Sequence, residues 1–273
     1  ETRDRWSDQE ADVVGELGSR IRVEREGRVL RIVLVRPERG NAIDPEFIDE
    51  LWTAVSQLDG SVGCIAIVAE GETFCVGGDV CVFAEAPEPG ASVHGWATRF
   101  HQAVLALMAS TVPIVVGVQG WAAGGGLSLA LLGDVLVLGR SARVRAAYTA
   151  IGLTPDGGMS WTLPRAVGVS RARDLILTNR AVSAVEAEAM GLASRVVDDQ
   201  DLHATVDSLA AELAVGATGT LGAARDLVLG GLARSFAEQL EDEARSIAVR
   251  ADSVQGREGV RAFVERRVPR YHS

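Results

Sequence analysis

The chain contains no lysine; all 27 of its basic residues are arginine. That absence excludes Schiff-base chemistry, a lysine-anchored pyridoxal phosphate and a P-loop, each of which needs an ε-amino group. Cysteine is scarce, with residues at 64, 75 and 81 only. The odd count and the lack of a C-x-x-C pair argue against a disulfide framework, and all three read as small buried apolar residues. The four histidines (94, 101, 203 and 272) have no zinc-ligand spacing. No metal or redox cofactor is therefore expected. No uninterrupted apolar run reaches 18 residues and no signal-peptide pattern is read, so a cytoplasmic protein without membrane insertion is expected. A net charge of −10 argues against a broad nucleic-acid-binding surface, although clustered arginines still suit a small anion.

What is present describes a folded chain. Over 273 residues, 47% are hydrophobic and 23% charged, a balance that supports a large core. Residues 1–18 are acidic and read as a loose or helical extension. Residues 19–200 alternate short apolar runs with helical patterns, which predicts an α/β core with crossover connections. Strands are expected at Ile21–Glu26, Val29–Arg36, Cys64–Ala69, Ile114–Val118 and Val135–Leu138. Helices are expected at Pro45–Leu58, Ala97–Ala109 and Leu127–Leu132. The Pro- and Gly-containing stretch Val82–Gly95 reads as a mobile loop beside a pocket. From residue 201 to 273 the pattern is helical throughout.

Three glycine-rich segments carry the candidate chemistry. Phe74-Cys75-Val76-Gly77-Gly78-Asp79 follows a strand, and its paired glycines let backbone approach a ligand; an ordinary loop reads the same way. Gly120-Trp121-Ala122-Ala123-Gly124-Gly125-Gly126-Leu127-Ser128 joins a strand to a helix and offers N–H groups to an oxyanion or phosphate. Its spacing is not G-x-G-x-x-G, and tight helix–strand packing is the bland alternative. In Ile151-Gly152-Leu153-Thr154-Pro155-Asp156-Gly157-Gly158, Asp156 is either a turn residue or a functional carboxylate. His101, on a helix among apolar neighbours, reads as a core or boundary residue. Trp96, Phe100, Trp121 and Trp161 are candidate lining residues.

Taken in order, these segments form one pattern. Arg36-Pro37, Asn41-Ala42, the F-C-V-G-G-D run, P-I-V-V-G-V-Q-G-W-A-A-G-G-G at 113–126 and G-L-T-P-D-G-G at 152–158 resemble the crotonase, or enoyl-CoA hydratase/isomerase, superfamily, in its isomerase-like branch. The resemblance runs from about residue 20 to 271. It implies an α/β spiral of repeated ββα units, with a helical C-terminal part over 201–273 that makes homotrimers, often paired into homohexamers. It implies an acyl-CoA thioester as ligand, with coenzyme A part of the substrate and no separate cofactor. By position the thioester oxygen falls to the N–H groups of Gly78 and Gly125. Ala42, Val76, Asp79, Val80, Cys81, Trp121, Gly124 and Ser128 are implied around the substrate. Arg39 and the tail around Phe263, Arg266 and Arg267 are implied near the coenzyme A phosphates, where only arginine can supply charge.

The chain departs from the family's hydratase pattern at both acids. Ser128 stands where hydratases carry one glutamate and Tyr148 where they carry the other. Water addition needs a base and an acid, so the classical hydratase reaction is not expected. The resemblance to isomerase-like members gives Asp156 the acid/base role, because one carboxylate suffices to move a double bond. Two alternatives stay open at this point. In dehalogenase-like or hydrolytic chemistry, Asp156 is a nucleophile and His101 a base for water, with Tyr148 beside them. In a non-catalytic acyl-CoA binder, the oxyanion hole persists without turnover.

Overall fold

The computed structural model describes residues 18–272 and, as backbone, the strand at residues 12–16. The expectation of a loose or helical extension over 1–18 is corrected there: Asp12–Glu16 is a strand, β1, with the remaining residues up to 17 outside the described ones. It pairs antiparallel with β2 (Ile21–Glu26), which forms a hairpin with β3 (Val29–Leu34). The hairpin turns at Gly27, whose φ of 55° is the left-handed conformation that glycine adopts without strain. Helix α1 (Pro45–Ser56) is capped by Asp44, whose carboxylate accepts the Phe47 N–H at 2.8 Å, and it buries Phe47, Leu51 and Val55 on one stripe. Strand β4 (Cys64–Ala69) is buried at all six residues, as a central parallel strand covered on both faces must be.

The segment expected as a mobile loop is helical. Helix α2 (Val80–Glu85) is followed by the long α3 (Pro89–Met108). Pro89 opens α3 rather than breaking it, because a first-turn proline gives up an N–H that has no helical partner anyway. The chain continues through β5 (Ile114–Val118), β6 (Trp121–Ala123), α4 (Gly125–Ala130), β7 (Val135–Gly139) and β8 (Arg143–Arg145). Then come α5 (Met159–Val167), α6 (Val169–Thr178), β9 (Val182–Ser183), α7 (Ala184–Ala189) and β10 (Arg195–Val197). Four helices close the sequence: α8 (Leu202–Val215), α9 (Thr218–Gly231), α10 (Phe236–Asp252) and α11 (Val254–Val264).

The large sheet has the order β1-β2-β3-β4-β5-β7-β10, parallel from β3 onward, and β6-β8-β9 form a smaller sheet. One face of the large sheet packs against α1 and α3 through residues such as Ile65, Ile67, Leu51 and Leu107. The other face, with Val33, Ala66, Val68, Val115 and Val137, is covered by Leu202, Val206, Leu209 and Ala210 of α8. Helix α8 therefore belongs to the core, and the packed unit continues past residue 201. Leu34 of β3 lies in register with Ala69 of β4, so the loops leaving β3, β4 and β5 leave from one end of the sheet. That carboxyl end is where open α/β sheets form their crevices.

Helix α9 is locked to this body by one buried arginine. Arg225 donates to Asp134 Oδ1 at 2.7 Å and to the carbonyls of Met108 and Ser110 at 2.8 and 2.9 Å. Asp134 in turn accepts the Ile114 N–H at 2.8 Å. Burial pushes the Asp134 carboxyl up against the opposing pull of Arg225. Replacing Arg225 with alanine takes the partner from the carbonyls of Met108 and Ser110 and from Oδ1 of the partly exposed Asp134, and is expected to lower the unfolding free energy by about 1–3 kcal/mol. Urea titration of the two proteins measures this; a loss below about 1 kcal/mol contradicts the latch.

Candidate active site

The site begins where the loop after β3 meets the loop after β4. Asn41 ties them together: its amide donates to the carbonyls of Glu70 and Thr73 at 3.1 and 2.8 Å, and its oxygen accepts the Arg36 N–H at 2.8 Å. Ile43 then bridges to Gly78 as a short parallel pair. The bonds of that pair run from Ile43 N–H to the Gly77 carbonyl and from Asp79 N–H to the Ile43 carbonyl. In extended chain, alternate residues direct their polar groups to opposite sides. The N–H of Gly78 therefore faces away from Ile43, toward the third loop.

That third loop presents the start of α4. The Gly125 N–H is the first of the helix and has no partner within it. Among the described residues neither this N–H nor that of Gly78 donates to a protein acceptor. The two loops close on each other only because side chains are missing. A methyl group on Gly126 would lie 2.3 Å from the Cys75 carbonyl oxygen, and one on Gly77 would lie 2.8 Å from that of Ala123. A methyl group on Gly125 would sit 4.0 Å from the Gly78 nitrogen, so the two free donors are neighbours.

Asp156 reaches the same space from the turn before α5. Tyr148 donates its hydroxyl to Asp156 Oδ1 at 2.6 Å, and Ser128 Oγ lies 3.1 Å from that hydroxyl. Ser128 also donates to the Asp156 backbone carbonyl at 2.9 Å. Burial, together with the adjacent Asp156 charge, pushes the Tyr148 phenol far up, so it stays neutral and remains a donor. Oδ2 of Asp156 has no hydrogen bond to the protein among the described residues. His101 does not line the cavity. Its Nε2 accepts the Gly157 N–H at 3.0 Å, which places the proton of the neutral ring on Nδ1 and occupies the lone pair that a base for water would need.

These groups share a cavity of about 370 Å³. It brings together Val76, Gly78, Val80, Gly124, Gly125, Tyr148 and Asp156 of the residues singled out in the sequence, with Trp96 and Phe100. The other positions lie elsewhere. Ser128 is fully buried behind Tyr148. Ala42 is buried beside Ile43, and Asp79 caps α2 while holding Arg39 at 3.3 Å, so both shape the wall from behind. Cys81 is exposed, which corrects its reading as a buried residue, whereas burial pushes the Cys64 and Cys75 thiols up to about 12. Trp121 and Trp161 are not lining residues; each ring lies under a guanidinium, of Arg145 at 5.5 Å and of Arg165 at 3.7 Å. Phe263 stands 86% exposed on α11, away from the cavity of its own chain.

Sequence reasoning missed the apolar wall of the cavity: Ile43, Ile48, Phe83, Val93, Ile151 and Leu153. Ile43 stands beside a motif residue and Ile151 and Leu153 lie within the third segment, a signal that could have found them; Phe83 and Val93 lie in the stretch read as a loop beside the pocket and were not singled out there. Asp44 also lines the cavity, but its oxygens are taken by Arg20, Arg36 and the Phe47 N–H at 2.8, 2.6 and 2.8 Å. Although burial works the other way, those partners hold its carboxyl below the usual range. Asp156 is thus the one lining carboxylate with a free oxygen. Among the described residues no cluster of three or more metal-ligating side chains occurs, and no helix is long and apolar enough to cross a membrane.

Comparison with known proteins gives the family of the chain. The family model described as Enoyl-CoA hydratase/isomerase matches residues 24–273. A "Probable enoyl-CoA hydratase" of Rhodobacter capsulatus is 34% identical over 88% of this chain and 93% of its own length. The 1,2-epoxyphenylacetyl-CoA isomerase of Escherichia coli is 34% identical over 89% of this chain and 94% of its own length. A 4-chlorobenzoyl coenzyme A dehalogenase of Arthrobacter is 30% identical over 83% of this chain and 84% of its own length. A crystal structure from Thermobifida fusca in complex with acetoacetyl-CoA superposes with a TM-score of 0.79 at 31% identity, covering 85% of this chain and 94% of that one. The chain belongs to the enoyl-CoA hydratase/isomerase family and has its crotonase fold.

The glycine contacts set a sign that can be measured. An alanine inside a helix is ordinarily worth about 1 kcal/mol over glycine. At Gly126, within α4, the added methyl would collide with the Cys75 carbonyl. Gly126→Ala is expected to destabilise the protein in thermal and urea unfolding; any gain in stability contradicts the close approach of the two loops.

Proposed function

We propose that the protein is an acyl-CoA isomerase that moves a double bond by shuttling one proton. The thioester oxygen sits between the Gly78 and Gly125 N–H groups. Asp156 takes a proton from one carbon of the acyl group, and the electron pair passes into an enolate whose charge falls on that oxygen. The same carboxylic acid then returns the proton to another carbon as the enolate collapses. Preorganised N–H donors are the groups such a charge requires, and removing one typically costs roughly 3–4 kcal/mol.

The observation that carries this reading is the placing of one free carboxylate oxygen, on Asp156, in the cavity lined by two unpartnered N–H groups. Tyr148 and Ser128 hold that carboxylate instead of supplying further acids. Hydration, which uses two carboxylates in the family, finds one free among the lining residues. Hydrolytic chemistry through His101 lacks a free ring nitrogen facing the substrate. A free carboxylate kept at the thioester seat favours catalysis over binding alone. Exposed apolar residues on α10 and α11, among them Phe236, Ile247 and Phe263, suit the contacts of a homotrimer or homohexamer.

The test needs no knowledge of the natural acyl group. In D2O, a proton shuttle exchanges acyl-chain protons of bound acyl-CoA thioesters for deuterium, which mass spectrometry reads. Asp156→Asn is expected to bind the thioesters as the wild type does and to lose exchange by roughly 10²–10⁴-fold. Full exchange in Asp156→Asn contradicts the assigned role.

A further inference from the structure

We propose that the acyl pocket selects an uncharged acyl group bearing a planar ring, with Phe83, Trp96 and Phe100 as the specificity-determining residues. This rests on the thioester seat argued above and adds the class of group that occupies it. Only 5% of the chain is aromatic, yet three aromatic side chains converge on one wall of this cavity. Their positions follow the path of the acyl chain. The Phe83 ring lies against Gly78, where a methyl group would meet its Cζ at 2.6 Å. The Phe100 edge lies against Gly157, beside Asp156, where a methyl group would meet its Cε1 at 2.8 Å. The wall therefore runs from the thioester seat to the carboxylate that faces the neighbouring carbons.

The shape of the wall suits a ring better than a flexible chain. Phe83 and Trp96 stack with centroids 5.5 Å apart and planes 22° apart, which holds them as one rigid aromatic pair at the border of the cavity. Phe100 is fixed by full burial, whereas Phe83 and Trp96 are half-buried and border the cavity. A ring laid on them removes apolar surface from water on both partners and adds the preference of aromatic pairs for stacked or edge contacts. A linear chain gains the first effect only, and it loses rotamer freedom to do so.

Charge completes the selection. No arginine lines the cavity, and its one basic side chain is the exposed His94 of α3. Of its two carboxylates, Asp44 is already satisfied by Arg20 and Arg36, and Asp156 would repel a second anion. An acyl group ending in a carboxylate finds no guanidinium there, only the exposed His94, and would lose much of its hydration.

Binding constants for phenylacetyl-CoA, hexanoyl-CoA and glutaryl-CoA test this, measured by calorimetry on Asp156→Asn to prevent turnover and by competition on the wild type. Phenylacetyl-CoA is expected to bind about 2- to 10-fold tighter than hexanoyl-CoA and at least about tenfold tighter than glutaryl-CoA. Phe83→Leu and Trp96→Leu are each expected to weaken phenylacetyl-CoA more than hexanoyl-CoA. Equal or tighter binding of hexanoyl-CoA or glutaryl-CoA, or a ring preference unchanged in both leucine variants, overturns the proposal. The two readings fail separately: a ring preference without deuterium exchange removes the proton shuttle, and exchange without a ring preference removes the aromatic selection.

Discussion

The close approach of two backbones is the constraint on which the site depends. The loops after β4 and β5 touch where Gly77 meets Ala123 and Gly124, and where Gly126 meets Cys75. No side chain fits between them. That contact turns the Gly78 and Gly125 N–H groups toward one space and leaves each without a protein acceptor among the described residues. Orphaned donors carry a cost in a folded protein. They persist here because the Ile43–Gly78 bridge and the Asn41 amide hold the neighbouring backbone in place. The parallel register of β3, β4 and β5 sets those loops at one end of the sheet.

Asp156, the proposed acid/base group, is organised by a separate, neutral network. Tyr148 and Ser128, which the resemblance sets where hydratases carry carboxylates, are both uncharged. They fix Asp156 through its Oδ1 and its backbone carbonyl and leave Oδ2 to the cavity. Burial and the Asp156 charge keep the Tyr148 phenol protonated, so it donates to Asp156 and does not act as a base beside it. His101 braces the next peptide from below by accepting the Gly157 N–H. Three side chains from α3, α4 and the segment before Tyr148's turn thus converge on one loop, which makes the carboxylate's position a property of the fold.

Much of this was legible in the sequence, for reasons that differ by residue. Cys64–Ala69 is apolar throughout because it is covered on both faces, and within the triple glycine Gly126 is forced by contact with the Cys75 backbone and Gly124 by its φ of 52°. Asp156 stood out only through the ordered combination of motifs, since a Pro-Asp-Gly-Gly turn alone is commonplace. The second half of α3 was read as a helix over 97–109, but the helical stretch from 80 to 96 was hidden because proline and glycine were read as breakers, whereas Pro89 sits where a helix tolerates it. With that stretch went Phe83 as a named lining residue, although Trp96, which stacks on it, was singled out. Trp121 and Trp161 misled because a guanidinium covers each ring on the surface, a pairing that sequence order does not reveal. Strand β1 was lost in an acidic stretch whose pairing partner, β2, supplies the order.

The account stands on polarisation of a thioester carbonyl by two backbone amides, and the carbonyl itself reports it. Infrared difference spectra of phenylacetyl-CoA carrying carbon-13 at the thioester carbonyl, recorded free and bound to the protein, measure the strength of that bond. A stretching band that moves to lower frequency on binding is the predicted result. A bound band at or above the frequency of the free thioester would contradict the account.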